Sequence, residues 1–417
     1  MDFASRLREA EGAGDQRARA TAYQALLGEA LAAAQGGGGA QALCAFAAAV
    51  LDDSVDAVTS RAMCGALVEA LGSAVGLPAD AYRAAAEQTL ALLQPRAVSF
   101  LAETNSLRQQ LSVLLEAEEE WSKAAAVLSG MDLDSGTNEA NREQKEGDKL
   151  RTEVRIARLY LEDDDPVRAE SHVRRAAALV AQTKDEALQL QYSTCHARVL
   201  DAQRRFLEAA AAYYAVSKKV SVVDQEGNRL EQSAEEQEVA LQLATTCAIL
   251  APAGPQRSRV LALLYKDERV ARLASFALLE KVHLERMLTA DEVETFTKML
   301  RTHQMAVLPN GQKVHERAIV EHNLLAASTL YANISFKELG ALLGTTAAAA
   351  EQMAARMVVE DRMRASIDQV DGFIHFQTDA EELSVWDDQI KSVCGAVNAI
   401  LDDAIAKGLV KEDAVVG

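Results

Sequence analysis

His315 and Glu316 begin the way a zinc-protease helix begins, but Ile319 stands where the second histidine of HExxH must fall. Zinc needs two imidazoles one turn apart on the same helix face, so this pair is broken. His315 and His322 lie seven apart and share a face, a spacing that suits core or solvent-facing histidines. None of the 7 histidines forms a His-x-His pair, which excludes a JAMM-type metalloprotease within this chain. Two acidic clusters, Glu118-Glu119-Glu120 and Glu162-Asp163-Asp164-Asp165, have the charge to hold a cation. Neither sits in a DxDxDG loop with a distal Glu. Helix capping accounts for them better, because Asp165 precedes Pro166 and a proline in the first helical turn forfeits no hydrogen bond. The 5 cysteines (Cys44, Cys64, Cys195, Cys247, Cys394) make no CxxC pair and read as packing residues of a reducing compartment. No phosphate-cradling GxxxxGK[ST], no GxGxxG after a strand and no GxSxG elbow occurs, and Gly254-Pro255-Gln256 reads as a turn between helices. The sequence therefore assigns no catalytic, cofactor-binding or metal-ligating residue, and no cofactor.

The elements that would carry such residues are almost all helices. The chain has 417 residues, enough for two or three domains, with 49% hydrophobic residues, 5% aromatics and 6 prolines. Alanine is abundant and proline scarce, which favours helix. Net charge is −19, the wrong sign for a general nucleic-acid or anionic-membrane binder. The N-terminus has no signal-peptide core, and the run Ala40 to Leu51 is far short of the ~20 residues of a membrane span. A soluble intracellular protein is expected.

From residue 1 to about 300 the periodicity is helical, with no convincing strand. Breaks fall at Gly36–Gly39, Gly76-Leu77-Pro78, Ser129 to Asp148 (a long polar loop), Asp224 to Asn228 and Pro252 to Pro255. IARLYLEDDDPVRAE from Ile156 and HARVLDAQRRFLEAA from His196 align with Ala157 on Ala197 and Ala169 on Ala209. A looser copy, LLEAEEEWSKAAAVL, starts at Leu114. Helix pairs repeating at this spacing are the mark of an α-solenoid of tetratricopeptide or HEAT type.

The pattern changes after about residue 315. Ala318–Tyr331 reads as an amphipathic helix with Val320, Leu324, Ala327 and Tyr331 on one stripe. Ser335 and Glu338 form a capping box that opens a helix from Phe336 to Leu343, closed by Gly344. A third helix runs from about Thr346 to Glu360, with Met353 and Met357 inward. Ser366–Phe376 reads as a hairpin turning at Asp371-Gly372. Three helices and a hairpin make a winged helix. Trp386, Ile390, Val393, Val397, Ile400 and Ala404 then form an a/d seam, to be covered by the chain's own solenoid or by partner helices, the intersubunit bundle being preferred. From Ala318 to Gln377 seven acids stand against four bases, so this winged helix lacks the basic flank that would hold DNA phosphate. Its remaining use is protein assembly, through the open edge of its wing.

Helical repeats running into a winged helix resemble the PCI-domain family of the proteasome lid, the COP-9 signalosome and translation initiation factor three. The segments IARLYLEDDDPVRAE, TCAILAPAGPQRSRVLALLYKDERV (from Thr246), AIVEHNLLAASTLYANISFKELGALL (from Ala318) and IDQVDGFIHF (from Ile367) look most like the family of signalosome subunit four. The likeness is dense from about Trp121 to Phe376, and Gly36–Gly39 and Asp224–Asn228 depart from it. It implies a mainly α fold: a solenoid over residues 1–300 (with the helical part of the PCI domain from about 200), a winged helix over 301–378, and a bundle helix over 379–417. It also implies a noncatalytic scaffold in a complex that removes NEDD8 from cullins of cullin–RING ubiquitin ligases, in cytoplasm and nucleus. The chemistry would belong to a JAMM-type partner subunit. Other PCI subunits would be neighbours, and neither nucleic acid nor membrane a partner. The expected contact residues are Ile367, Phe373, Ile374 and Phe376 of the wing and Trp386, Ile390, Val393, Val397, Ile400 and Ala404 of the last helix. The alternatives are a lid subunit of the same family and, in a different class, a nucleic-acid-binding winged helix.

Overall fold

The structure is a computed structural model that describes residues 3, 6–7, 16–35, 40–52, 55–73, 77–96, 98–133, 142–223, 227–307, 312–376 and 379–407. It divides into two compact units, Met1–Gln203 with Lys218–Ser233, and Arg204–Ser217 with Ala234–Gly417. No described helix is long and apolar enough to cross a membrane.

The first unit contains α1 (Gln16–Gln35), α2 (Gln41–Val50), α3 (Ala57–Ser73), α4 (Ala79–Leu93), α5 (Leu101–Ala117), α6 (Trp121–Ser129), α7 (Arg142–Glu162), α8 (Pro166–Val180) and α9 (Glu186–Ala202). From α5 onward each helix packs on the next, and one continuous apolar core runs from Leu7 to Val199. The repeat alanines sit at the contacts: Ala124, Ala157, Ala169 and Ala197 are all fully buried. A side chain no larger than a methyl lets neighbouring helices close up.

The turns repeat as well. Glu119 (φ 59), Asp164 (φ 55) and Arg204 (φ 64) each hold a left-handed backbone two residues before the next helix starts. After the first two, the amides of Glu120 and Asp165 return to the carbonyls of Leu115 and Tyr160 at 2.9 Å, closing the helix C-terminus in the Schellman manner. Asp165 caps α8, its carboxylate accepting from the Arg168 amide at 3.1 Å, with Pro166 in the first turn. The other acidic cluster works differently. Glu120 makes no cap bond; Glu118 and Glu120 receive Arg83 of α4 at 3.2 and 2.9 Å. Glu116 likewise pairs with Arg155 of α7, and Glu162 with Arg198 of α9, both at 2.7 Å. These carboxylates tie one helix to a later or earlier one.

Two expectations change here, and a third falls outside the described residues. The polar stretch Ser129–Asp148 is helical again from Arg142, with residues 134–141 outside the described set. Gly36–Gly39 also lies outside it. Two short strands, β1 (Ser221–Val223) and β2 (Arg229–Glu231), pair antiparallel where the sequence showed only a break. The Glu186 carboxylate of α9 accepts from the Val223 amide at 3.0 Å, which holds this hairpin to the first unit. Three-residue strands are too short for an alternation to register.

The second unit contains α10 (Phe206–Ser217), α11 (Ala234–Leu250), α12 (Pro255–Tyr265), α13 (Phe276–His283), α14 (Ala290–Thr297), α15 (Val314–Leu330), β3 (Asn333–Ser335), α16 (Phe336–Leu343), α17 (Ala347–Val359), β4 (Ala365–Asp368), β5 (Phe373–Phe376) and α18 (Asp379–Ala406). α10 lies along α11. Together α15 to α17 and the antiparallel sheet β3-β5-β4 form the winged helix. Strand β3 was not read from the sequence; it pairs Ile334 with Ile374 and Ser335 with Phe373. α15 begins four residues before the expected start, and Tyr331 falls beyond its end, exposed.

Candidate protein interface

Local sequence sets the winged helix residue by residue. The Ser335 hydroxyl accepts the Glu338 amide at 3.3 Å and opens α16; Gly344, at φ 66, ends it. Thr346 accepts the Ala349 amide at 3.3 Å and opens α17. Between the two helices Gly340 is tightly enclosed by backbone. A Cβ there would meet the Ala347 nitrogen and the Thr345 oxygen at 3.0 Å. Under the sheet Leu324, Ala327, Leu339, Met353, Met357 and Ile374 make one apolar core.

Burial separates the expected wing contacts. The registers Ile334–Ile374–Ile367 and Phe376–Ala365 face inward, and Ser335–Phe373–Asp368 and Asn333–His375–Ser366 face outward. Ile374 is fully buried and Phe376 nearly so, and Ile367 is half-buried against the same core. Ile374 and Phe376 hold the sheet on its helices, and Ile367 keeps part of its side chain open. Phe373 is exposed, with the His375 ring 6.5 Å away. The stripe on α18 is the opposite case. Trp386 and Val393 are 64% exposed and Ile400 69%, and Ile390 and Val397 are open as well. The side chain of Ala404 lies outside the described residues. A contiguous apolar row left open on a helix marks a contact surface.

Sequence reasoning missed a buried polar cluster in the second unit. Glu321 of α15 is almost wholly buried and is bonded by Arg317 at 2.8 Å and by Arg362, from the turn between α17 and β4. Burial alone would raise its carboxyl, but the two guanidinium bonds reverse that and hold it below the usual range. Arg362 also donates to the Ala253 carbonyl at 3.3 Å. Arg257 of α12, equally buried, donates to the carbonyls of Ala248 and Ile249 at 3.1 and 2.9 Å, closing the end of α11. Desolvation brings Arg257 down to about 10. Next to Glu321, His322 donates from Nε2 to the Arg286 carbonyl at 2.8 Å. Burial, reinforced by Arg257, pushes His322 down to about 4, so the ring is neutral near pH 7. Asn323 bonds both the amide and the carbonyl of Leu288. In the sequence its α15 members are only the consecutive Glu321, His322 and Asn323, with nothing to mark their distant partners.

The cluster therefore serves position, joining α15 to the turns before α12 and after α17. His315 is also buried, and its Nδ1 has no hydrogen-bond partner among the described residues. Among the described residues no group of three or more His, Cys, Asp or Glu is placed to hold a metal ion. The described arrangement offers an uncovered helix stripe and a strand-edged wing.

Two family models match this chain in separate stretches. The PSMD12/CSN4 N-terminal family model matches residues 4–225, and the PCI domain model matches residues 297–378. COP9 signalosome complex subunit 4 of Arabidopsis thaliana is 45% identical over 97% of this chain and 98% of its own length. The Drosophila melanogaster protein of that name is 41% identical over 86% of this chain and 83% of its own. The Dictyostelium discoideum one is 36% identical over 95% of each.

Proposed function

Because the chain belongs to the family of COP9 signalosome subunit 4, we propose that it is a noncatalytic scaffold subunit of that signalosome. The observation that carries the reading is kinship over nearly the whole length, which takes in both the helical arm and the winged helix. The open α18 stripe supports it, since a scaffold needs surfaces that its own fold leaves uncovered. In this reading the arm covers residues 1–300, the winged helix 301–378 and the bundle helix 379–417. The complex removes NEDD8 from cullins of cullin–RING ligases in cytoplasm and nucleus, and a JAMM-type subunit supplies the metalloprotease. Helices of neighbouring PCI subunits cover Trp386, Ile390, Val393, Val397 and Ile400, with Ala404 continuing the row, and Phe373 is the outward contact of the wing. A place in the proteasome lid is not favoured, because the relatives named above are all signalosome subunits.

The test is reconstitution of the full-length chain with signalosome subunits, read by size-exclusion chromatography and native mass spectrometry. The parent chain is expected in a large assembly, and Val393→Glu with Val397→Glu is expected alone, its helical circular dichroism unchanged. A parent chain that never leaves the monomer fraction would remove the scaffold reading. Co-elution of the folded double variant would remove α18 from the contact.

A further inference from the structure

The second unit has another surface, which neither the wing nor the α18 stripe explains. A groove of about 680 Å³ lies between the first turn of α10, the turn from α11 to α12 and the turn from α17 to β4. Its lining includes the apolar residues Phe206, Leu207, Pro252 and Ala253. Most of the charge around it is already spent. Arg205 pairs with Glu208, Arg362 with Glu360 and Glu321, and Arg257 with the helix carbonyls. Arg204, also lining the groove, is exposed and has no partner among the described residues.

Positive charge continues from there along α12. Gln256 lines the groove, and Arg259, Leu263 and Lys266 follow at steps of three, four and three, all exposed. Such steps keep one helix face and run about 15 Å along it. Leu263 is 53% exposed, and neither Arg259 nor Lys266 has a partner among the described residues. Three uncompensated cations thus share one surface of a chain whose net charge is −19. Among the described residues of the groove lining, the carboxylate left unpaired is Asp361, at φ 53.

We propose that this groove and the α12 stripe form a docking surface for an acidic segment of a partner protein. An apolar side chain of that segment occupies the groove, and its carboxylates face Arg204, Arg259 and Lys266. Charge complementarity argues for this occupant. A nucleic acid of the same length would bring more phosphates than three cations neutralise, against the repulsion of a strongly acidic chain. An acidic peptide brings only a few charges and an anchor. The surface does not rest on the scaffold reading, and its test is independent of assembly.

The experiment uses the full-length chain and a fluorescein-labelled peptide of repeated Glu-Glu-Leu triplets, followed by fluorescence anisotropy at low and raised salt. A Gln-Gln-Leu peptide, a Glu-Glu-Ser peptide and a DNA duplex are the comparison probes. The Glu-Glu-Leu peptide is expected to bind in a salt-sensitive manner, and both altered peptides more weakly. Arg204→Glu with Arg259→Glu should weaken binding by about tenfold. Asp361→Asn should strengthen it by about twofold, since asparagine keeps the left-handed backbone and removes the repelling charge. If the double reversal perturbs folding, Arg259→Gln with Lys266→Gln on the open helix face gives the same reading. No binding at low salt, equal binding of the Gln-Gln-Leu peptide, or a preference for duplex would each overturn the proposal.

Discussion

The two apolar surfaces near the C-terminal end of the chain have opposite fates. Strand β5 carries Ile374 and Phe376, which vanish under α15 to α17, whereas α18 carries Trp386, Val393 and Ile400, each at least 64% exposed. In sequence both are regular apolar patterns, alternating in the strand and stepping by three and four in the helix. The difference is that the wing finds its complement inside the chain. The helix finds none among the described residues. A pattern states that a face must be covered; it does not state by what.

Four measurements can break or sharpen that contrast. The largest effect is expected on the covered side. Phe376→Ala should cost about 3–5 kcal/mol in denaturant unfolding, from lost transfer energy and the cavity left behind. A cost below about 1 kcal/mol would mean that the wing is not held by its core.

The next tests the polar cluster behind the same core. Folded His322 sits at about 4 against an ordinary 6.5, so the unfolded chain takes up a proton first as the pH falls. The contribution is complete above pH 6.5 and is lost progressively toward pH 4, about 3 kcal/mol in all. Unfolding free energies at neutral and mildly acid pH should therefore diverge, and His322→Gln should flatten the difference. An unchanged pH profile in that variant would show that other groups are responsible.

Third, Gly340→Ala should destabilise by about 1–3 kcal/mol, because the added Cβ meets backbone atoms at 3.0 Å that cannot swing aside. A helix interior otherwise favours alanine over glycine, so the sign of the change is diagnostic. The smallest effect belongs to the uncovered helix. Val393→Ala with Val397→Ala should leave the isolated chain within about 0.5 kcal/mol of the parent in the same unfolding measurement. A large loss would mean that the stripe packs on its own chain after all.

Much of the fold could be read without coordinates, for local reasons. Capping and turn residues act over three or four positions, so Asp165 with Pro166, Ser335 with Glu338, and Gly344 announce their helix ends directly. Alanine recurrence exposed the helix pairs because each pair meets the next through the same positions. The short strands escaped. β3 is defined by its pairing with β5, some forty residues on, and three residues cannot show a period. The candidate interface was half legible. The α18 row shows in its spacing, whereas Phe373, Ile374 and Phe376 fall in one short segment whose neighbours strand alternation puts on opposite faces.

The buried cluster of Glu321, Arg362, Arg257 and His322 was not legible at all, since its members lie as much as 105 positions apart. The same holds for the groove around Arg204, assembled from three turns. Composition and periodicity alone determine that this chain is helical and acidic, with repeated pairs ending in a winged helix and an apolar terminal row. Those properties depend on neighbours within a few turns. Tertiary structure alone decides which apolar residues are spent on the core, which charges are paired, and which surfaces stay open. Burial and ion pairing are set by residues that only folding brings together.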